Sequence, residues 1–215
     1  MICGALPEDL GLIDLSPVEM LFWLYCPIKT PGQHRRIPAN LHQFDPIIEE
    51  VANDCCEHDR WVNSYVYLTA KTLYVSGDYI GNRPGWHADG FGTDDVNYIW
   101  YDGAPTEFYN AALDLPDDCA DSMAIMEAEA VGRRIITFPA KHLLKLTPAV
   151  IHRSPVGFAP GMRTFVKVSI SSERYNLIGN SVNHGLSEQW PLVPRFPERN
   201  HPARDYEPSF QSSSE

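Results

Sequence analysis

The second half of the chain contains a dense succession of short segments that are typical of β-strands. β-Branched and aromatic residues recur in these segments, and turns that contain proline or glycine separate them. Many short strands that follow a single helical segment favour a double-sheet jelly roll or a barrel. The sequence therefore predicts a mainly β protein with flanking helices. The four clearest strand segments are 134–138, 142–146, 149–152 and 164–170.

The first half predicts one helix, followed by further strands. Asp45 is a plausible cap and Pro46 occupies the first helical position of a segment at 44–59 whose apolar residues follow helical spacing. Strands are predicted at 61–68, 72–75 and 96–101, and the segment 121–131 is compatible with either a helix or a strand. We expect one domain at 1–188 and an extended or disordered tail at 189–215, which is rich in Pro, Arg, Asn and Ser.

Charge and cysteine usage narrow the functional classes. The 215 residues include 17 Lys+Arg and 28 Asp+Glu, which gives a net charge of −11. Such a chain is poorly matched to a phosphate backbone, so a small-molecule substrate is favoured over nucleic acid. The five cysteines show no ligand spacing, and there is neither a signal-peptide pattern nor an apolar run long enough to span a membrane. These features predict a cytoplasmic protein without a disulfide framework. The oligomeric state is not predicted.

One short motif carries chemistry. His87 and Asp89 are two positions apart, so on a strand their side chains point the same way. His152, at the end of a later predicted strand, can complete a mount of two imidazoles and one carboxylate for a divalent metal. That set leaves one face of the metal open, as in the facial triad of non-haem Fe(II) oxygenases. The alternative is that His87 and Asp89 form an ordinary loop pair and His152 is a core residue.

The pattern of His87-x-Asp89, His152 and Arg163 resembles the Fe(II)/2-oxoglutarate-dependent dioxygenase superfamily, over roughly residues 74–171. The resemblance implies a double-stranded β-helix, which is a cupin-like jelly roll. It also implies that His87, Asp89 and His152 are the catalytic metal ligands, with Fe(II) as cofactor and 2-oxoglutarate as cosubstrate. Arg163 would then pair with the far carboxylate of 2-oxoglutarate. Many members carry Ser or Thr two residues after this arginine, where the present chain has Phe165.

Two further groups of residues are weaker candidates for the site. Lys71, Tyr74 and Tyr79 precede the His87 segment, where family members often place polar groups for 2-oxoglutarate, and the two tyrosines are predicted cosubstrate contacts. Aromatic residues next to the first ligand and on the following strand are predicted to wall the substrate pocket. These are Trp86, Tyr98 and Trp100.

The resemblance predicts an Fe(II)- and 2-oxoglutarate-dependent oxygenase that hydroxylates a small molecule or an amino-acid-like group and releases succinate and CO₂. Two alternatives stay open. One is a cupin-like metal-binding or structural protein without turnover, and the other is an oxygenase that acts on nucleic acid or protein.

Overall fold

The computed structural model describes residues 1–56, 60–77 and 79–195, and these form a mainly β protein. The helices are α1 (Asp45–Cys56), α2 (Arg60–Asn63) and α3 (Cys119–Glu129), with 3₁₀ helices at Ala39–Phe44 and Gly132–Arg134. None of the helices in the described ranges has the length and apolar character needed to cross a membrane. The strands are β1 (Ile2–Cys3), β2 (Glu8–Leu12), β3 (Leu21–Lys29), β4 (Tyr65–Val75), β5 (His87–Ala88), β6 (Val96–Tyr101), β7 (Glu107–Tyr109), β8 (Leu113–Asp114), β9 (Ile135–Thr137), β10 (His142–Leu146), β11 (Ile151–Arg153) and β12 (Gly161–Ser171).

The strands form three antiparallel sheets, and no closed barrel is present among the described residues. The largest sheet has the strand order β2-β10-β6-β12-β4-β3, and a second has the order β5-β11-β7-β9. The third is the small pair β1-β8. Strands β12 and β4 pair without a register break from Gly161 opposite Val75 to Ser171 opposite Tyr65. This pair is the longest strand pairing in the six-stranded sheet.

The six-stranded sheet has a different chemistry on each face, because side chains alternate along its strands. On one face Val166, Val168 and Ile170 of β12 pack in a core cluster with residues of α1. On the other face, Phe165 and Lys167 line a cavity. A second cluster joins this inner face to the four-stranded sheet. A third cluster packs the outer side of the four-stranded sheet against α3. The order of layers is therefore α1, six-stranded sheet, four-stranded sheet and α3.

The helices follow local signals in the sequence. Helix α1 begins at Asp45 and buries its apolar side chains, including Ile47, Ile48 and Val51, against the six-stranded sheet. Of the segment at 121–131, for which the sequence allows a helix or a strand, residues 121–129 are helical and belong to α3. Asp118 caps α3, because its carboxylate accepts hydrogen bonds from the backbone N–H groups of Ala120 and Asp121.

The mainly β class is confirmed, and several predicted boundaries are wrong. The predicted strands at 61–68 and 72–75 are one strand, β4, because the residues between them also pair with β12 and β3. Residues 60–63 are helical instead. The longest apolar run near the N-terminus, residues 20–26, is too short to span a membrane, and residues 21–26 of it belong to β3, which forms one edge of the six-stranded sheet. Of the predicted tail at 189–215, residues 196–215 lie outside the described residues.

A core truncation tests the packing against α1. Leu68 lies on β4, is fully buried and belongs to the cluster beneath α1. Leu68→Ala is expected to lower the free energy of unfolding by about 2–5 kcal/mol, because a cavity replaces the lost contacts. Leu12→Ala is the matched control, since Leu12 is 65% exposed, and it is expected to change the free energy by less than about 0.5 kcal/mol. Urea denaturation measures both. Equal losses in the two variants would contradict the layer arrangement.

Candidate metal centre

Two neighbouring strands bring the histidines together. His152 of β11 lies directly opposite His87 of β5 in the antiparallel register, so both side chains point to the same face of the sheet. Their ring centroids are 4.5 Å apart. Asp89 follows immediately after β5, and Gly90 then turns the chain with a φ of 72°. A Cβ at Gly90 would lie 2.8 Å from the Cβ of Asp95, so the turn that follows Asp89 requires glycine.

The three side chains form a group that could hold one metal ion. Their ligand atoms all lie within 4.8 Å of one another. The Nε2 atom of His87 is 4.0 Å from one carboxylate oxygen of Asp89, and the Nε2 atom of His152 is 3.6 Å from the other. His152 and Asp89 are only 6% and 9% exposed, so this cluster lies inside the protein. The predicted ligands His87, Asp89 and His152 are thus brought together.

Backbone carbonyls fix the orientation of both imidazoles. The Nδ1 atom of His87 is 2.9 Å from the carbonyl oxygen of Gly85, and that of His152 is 3.2 Å from the carbonyl oxygen of Val150. Because a carbonyl only accepts, each Nδ1 carries the proton and donates it. Each Nε2 therefore presents its lone pair to the centre of the group. Burial, together with His152, lowers the pKa of His87 to about 4, so this imidazole is neutral at pH 7, as a metal ligand must be.

A buried lysine holds the carboxylate. The Nζ atom of Lys167 donates a hydrogen bond of 2.9 Å to Asp89 and another of 3.0 Å to the hydroxyl of Tyr25. Burial alone would raise the pKa of Asp89, yet the ammonium of Lys167 holds it well below its usual value. Burial alone would likewise lower the pKa of Lys167, but Asp89 and Tyr25 raise it. Asp89 is therefore ionised and oriented before any metal binds.

The group opens into a cavity of about 320 Å³ between the two larger sheets. Both sheets contribute to its lining, because Thr69 and Lys71 come from β4, Ile99 from β6, and His87 and His152 from β5 and β11. Lys71 is paired with Phe165 in the β4–β12 register. Its ammonium donates hydrogen bonds to the carbonyl oxygen of Gly81 and to the side-chain oxygen of Asn82. The candidate metal-binding group therefore faces a space large enough for a small ligand.

Arg163 is close to this cavity but is not among the residues that line it. Its Nε atom donates to the carbonyl oxygens of Gly103 and Ala104, at 3.0 and 3.1 Å. The guanidinium lies against the ring of Phe165, 5.1 Å from its centroid. One of its Nη atoms is buried without a hydrogen-bond partner among the described residues. Thr164 follows Arg163 directly on β12, so its side chain lies on the opposite face of the sheet, where its hydroxyl contacts that of Thr72.

The two tyrosines predicted to contact the cosubstrate lie at the surface. Tyr74 is 63% exposed and Tyr79 is 78% exposed, and neither is among the residues that line the cavity. Side chains alternate between the two faces of β4, so Lys71 and Leu73 share the face that carries the cavity and Tyr74 lies on the other face. The structure therefore does not bring these two side chains to the metal-binding group.

The aromatic residues predicted to wall the pocket are all buried, but they pack in other parts of the core. Tyr98 and Trp100 face α1, and the hydroxyl of Tyr98 donates to Asp54. Ile99, between them, lines the cavity instead. Trp86 packs in the cluster beneath α3, with Arg153 stacked on its ring at 4.5 Å. Side chains alternate between the two faces of β6. Because Tyr98 and Trp100 face α1, Ile99 must face the cavity.

Several residues around the cavity were not predicted. Lys167 has a recognisable signal, because it lies in phase with Arg163 on a strand whose other face is apolar. Tyr25 lies on β3, in a segment whose sequence shows an apolar run and no polar motif. Arg83 and Arg195 also line the cavity, and no local pattern in the sequence distinguishes them from surface arginines. Arg195 belongs to the segment predicted as a tail.

Neither the protein-family models nor the curated proteins compared with the chain give a match. The arrangement of the three ligands and the cavity beside them is therefore the basis for assigning a function.

Proposed function

We propose that the protein is an Fe(II)- and 2-oxoglutarate-dependent oxygenase with a jelly-roll core. The observation that carries the proposal is the group formed by His87, Asp89 and His152 at the wall of an internal cavity. Two imidazoles and one carboxylate on one side of a metal leave the opposite positions free, which is the arrangement that non-haem Fe(II) oxygenases use. The proposed reaction is hydroxylation of a small molecule or of an amino-acid-like group.

The residues fit an Fe(II) ion. Both Nε2 atoms are free to bind because both Nδ1 atoms donate to carbonyl oxygens. Such carbonyl partners orient ligand imidazoles in metalloproteins. Lys167 binds one oxygen of Asp89 at 2.9 Å and leaves the other oxygen available. When bound, the metal and 2-oxoglutarate would supply the O₂-dependent oxidising chemistry, with succinate and CO₂ as products.

Two cations are candidates for the far carboxylate of 2-oxoglutarate. Lys71 lines the cavity, and its ammonium contacts only neutral acceptors among the described residues. Arg163, which the family pattern indicates, lies against Phe165 outside the lining and keeps one unpartnered Nη atom. We assign the carboxylate to Lys71, because its ammonium already faces the space that the cosubstrate would occupy.

The proposal predicts iron-dependent turnover. Incubation of the protein with Fe(II), O₂ and 2-oxoglutarate is expected to yield succinate even without a second substrate, at a low uncoupled rate that NMR can follow. The same incubation without iron is the control. No succinate above the rate of free Fe(II), in the absence and in the presence of a broad metabolite panel, would contradict an oxygenase function.

A metal-binding protein without turnover is the second candidate, and the Lys167–Asp89 contact favours it. The ammonium already compensates the carboxylate charge, so the group is stable without a metal. This candidate predicts binding of Fe(II) or Zn(II) at one ion per chain without binding of 2-oxoglutarate. Calorimetric titration of 2-oxoglutarate into the Zn(II)-loaded protein distinguishes the two candidates.

The pKa of Lys71 gives the oxygenase proposal a pH dependence. Burial, together with the charges of Lys167 and Arg163, lowers this pKa to about 8, so the ammonium is protonated at pH 7 and loses its charge as the pH rises through 8. The affinity for 2-oxoglutarate is therefore expected to fall between pH 7 and pH 9. The residues that contact the ammonium are uncharged. They are Phe22 of β3 and, in the loop after β4, Gly81 and Asn82.

Two variants at this position separate its charge from its packing. Lys71→Arg is expected to keep the affinity for 2-oxoglutarate and to flatten the pH profile, because a guanidinium stays protonated at pH 9. Lys71→Met is expected to weaken binding by about tenfold or more. Calorimetry with the Zn(II)-loaded protein measures both. A wild-type affinity that is constant from pH 7 to pH 9, with an unchanged Lys71→Met variant, would move the assignment to Arg163.

A further inference from the structure

The cavity has a charge opposite to that of the whole protein. The chain has an excess of acidic residues and a net charge of −11. Among the described residues that line the cavity, however, Asp89 is the single carboxylate, whereas five side chains are basic. A basic cleft with low-dielectric walls concentrates anions from solution. The basic residues are Lys71, Arg83, Arg153, Lys167 and Arg195.

Two of these cations already have a counter-ion. Lys167 pairs with Asp89 at 2.9 Å. Arg153 pairs with Glu107, with both Nε and Nη2 at 2.7 Å from one carboxylate oxygen. For the other three, no carboxylate lies within ion-pair distance in residues 1–56, 60–77 and 79–195. The cavity therefore holds an excess of positive charge that the described part of the protein does not neutralise.

Within the described part of the chain, the hydrogen-bond partners of Arg83 and Arg195 are uncharged. Arg83 contacts the sulfur of Met123, which is a weak acceptor. The hydroxyl of Ser154, just after β11, donates a hydrogen bond of 2.8 Å to the carbonyl oxygen of Arg83. This bond connects the loop between β4 and β5 to the segment after β11. Arg195 donates to the side chain of Asn180 at 2.6 Å and to the carbonyl oxygen of Ile178 at 3.3 Å. Each guanidinium has five N–H groups, so donors remain for a ligand.

The proposed cosubstrate does not use these two arginines. One carboxylate of 2-oxoglutarate would lie on the metal, and the other would lie on Lys71. Arg83 and Arg195 would still lack a counter-ion among the residues that the structure describes. We infer that the primary substrate is a small anion, and that Arg83 and Arg195 bind its carboxylate or phosphate group. That this anion is a substrate rests on the proposed function, whereas the anion site itself does not.

Calorimetric titration of the metal-free, full-length protein tests the inference. The probes are inorganic phosphate and glutarate, which distinguish a phosphate group from a carboxylate group by their relative affinities. At least one probe is expected to bind at one equivalent per chain. Arg83→Gln and Arg195→Gln are each expected to weaken that binding about tenfold, because each removes a charge-assisted contact. Arg83→Lys retains the charge and is expected to weaken binding less.

Arg133→Gln is the matched control, because Arg133 is exposed and lies outside the cavity lining. Its affinity for the probe is expected to stay within a factor of two of the wild-type value. Absence of binding by both probes, or wild-type affinity in both glutamine variants, would overturn the inference. Because no metal or 2-oxoglutarate is present, the result is independent of succinate formation. An arginine-dependent anion site in a protein that forms no succinate would overturn only the proposed function.

Discussion

Replacement of His152 by alanine is expected to remove both metal binding and 2-oxoglutarate turnover. His152 offers one of the three candidate ligand atoms, and its Nε2 lies 3.6 Å from a carboxylate oxygen of Asp89. Loss of a direct ligand is expected to lower the affinity for Fe(II) or Zn(II) by about 100-fold or more, at least the upper end of what loss of an outer-shell partner costs. Succinate formation is expected to fall to the rate of free iron.

His142→Ala is the matched control for this variant. His142 lies on β10 and pairs with Asp9 at 2.9 Å, away from the cavity lining. Its loss is expected to leave metal affinity unchanged and to cost at most about 1 kcal/mol of stability. Metal titration followed by calorimetry measures both variants, with thermal unfolding as a check on folding. A folded His152→Ala protein that binds metal as tightly as His142→Ala would show that the metal-binding group is wrongly assigned.

Asp89→Ala is expected to be strongly destabilising even without metal. Lys167 and Asp89 are only 9% and 10% exposed at their side chains and are 2.9 Å apart. Removal of the carboxylate leaves a buried ammonium whose remaining oxygen partner is the hydroxyl of Tyr25. Removal of one member of a buried ion pair costs about 3–5 kcal/mol. Urea denaturation of the metal-free protein is expected to show a loss of that size.

The double variant Asp89→Ala/Lys167→Met is expected to recover most of this loss. An apolar side chain in place of the ammonium removes the uncompensated charge, and such replacements of buried pairs are often close to neutral. The double variant should remain unable to bind metal, because one ligand is still missing. A single variant that loses less than about 1 kcal/mol, or a double variant that is as unstable as the single one, would contradict the role assigned to Lys167.

The residues of the candidate metal centre could be predicted because His87 and Asp89 are close in sequence and because His152 completes a known combination of metal ligands. The spacing of His87 and Asp89 places both beside one strand end, and antiparallel pairing sets His152 directly opposite His87. The mainly β class could be predicted for a similar reason, since strand and turn signals repeat at short intervals. The helix α1 also follows a local signal, and the structure confirms a helix there. The predicted cap is wrong by one residue, because Asp45 has helical backbone angles and is itself the first residue of α1.

The remaining parts of the site depend on contacts that are distant in sequence. Lys167 meets Asp89 across 78 positions, and Arg195 reaches the cavity from a segment whose composition indicates a tail. The aromatic residues of β6 illustrate a different limit. Periodicity shows that Tyr98 and Trp100 share a face, but both faces of this strand are buried. Which of the two faces meets α1 and which meets the cavity is decided by the layers packed on either side.

We propose that His87, Asp89 and His152 hold one Fe(II), which 2-oxoglutarate chelates. An anaerobic titration tests this claim, because Fe(II) chelated by a 2-oxo acid has a visible charge-transfer absorption. With the wild-type protein, the absorption is expected to appear only when Fe(II) and 2-oxoglutarate are both present, and to saturate at one equivalent of iron per chain. The folded His87→Ala variant is expected to give no such absorption. A wild-type protein without it, or a variant in which it saturates identically, would contradict the claim.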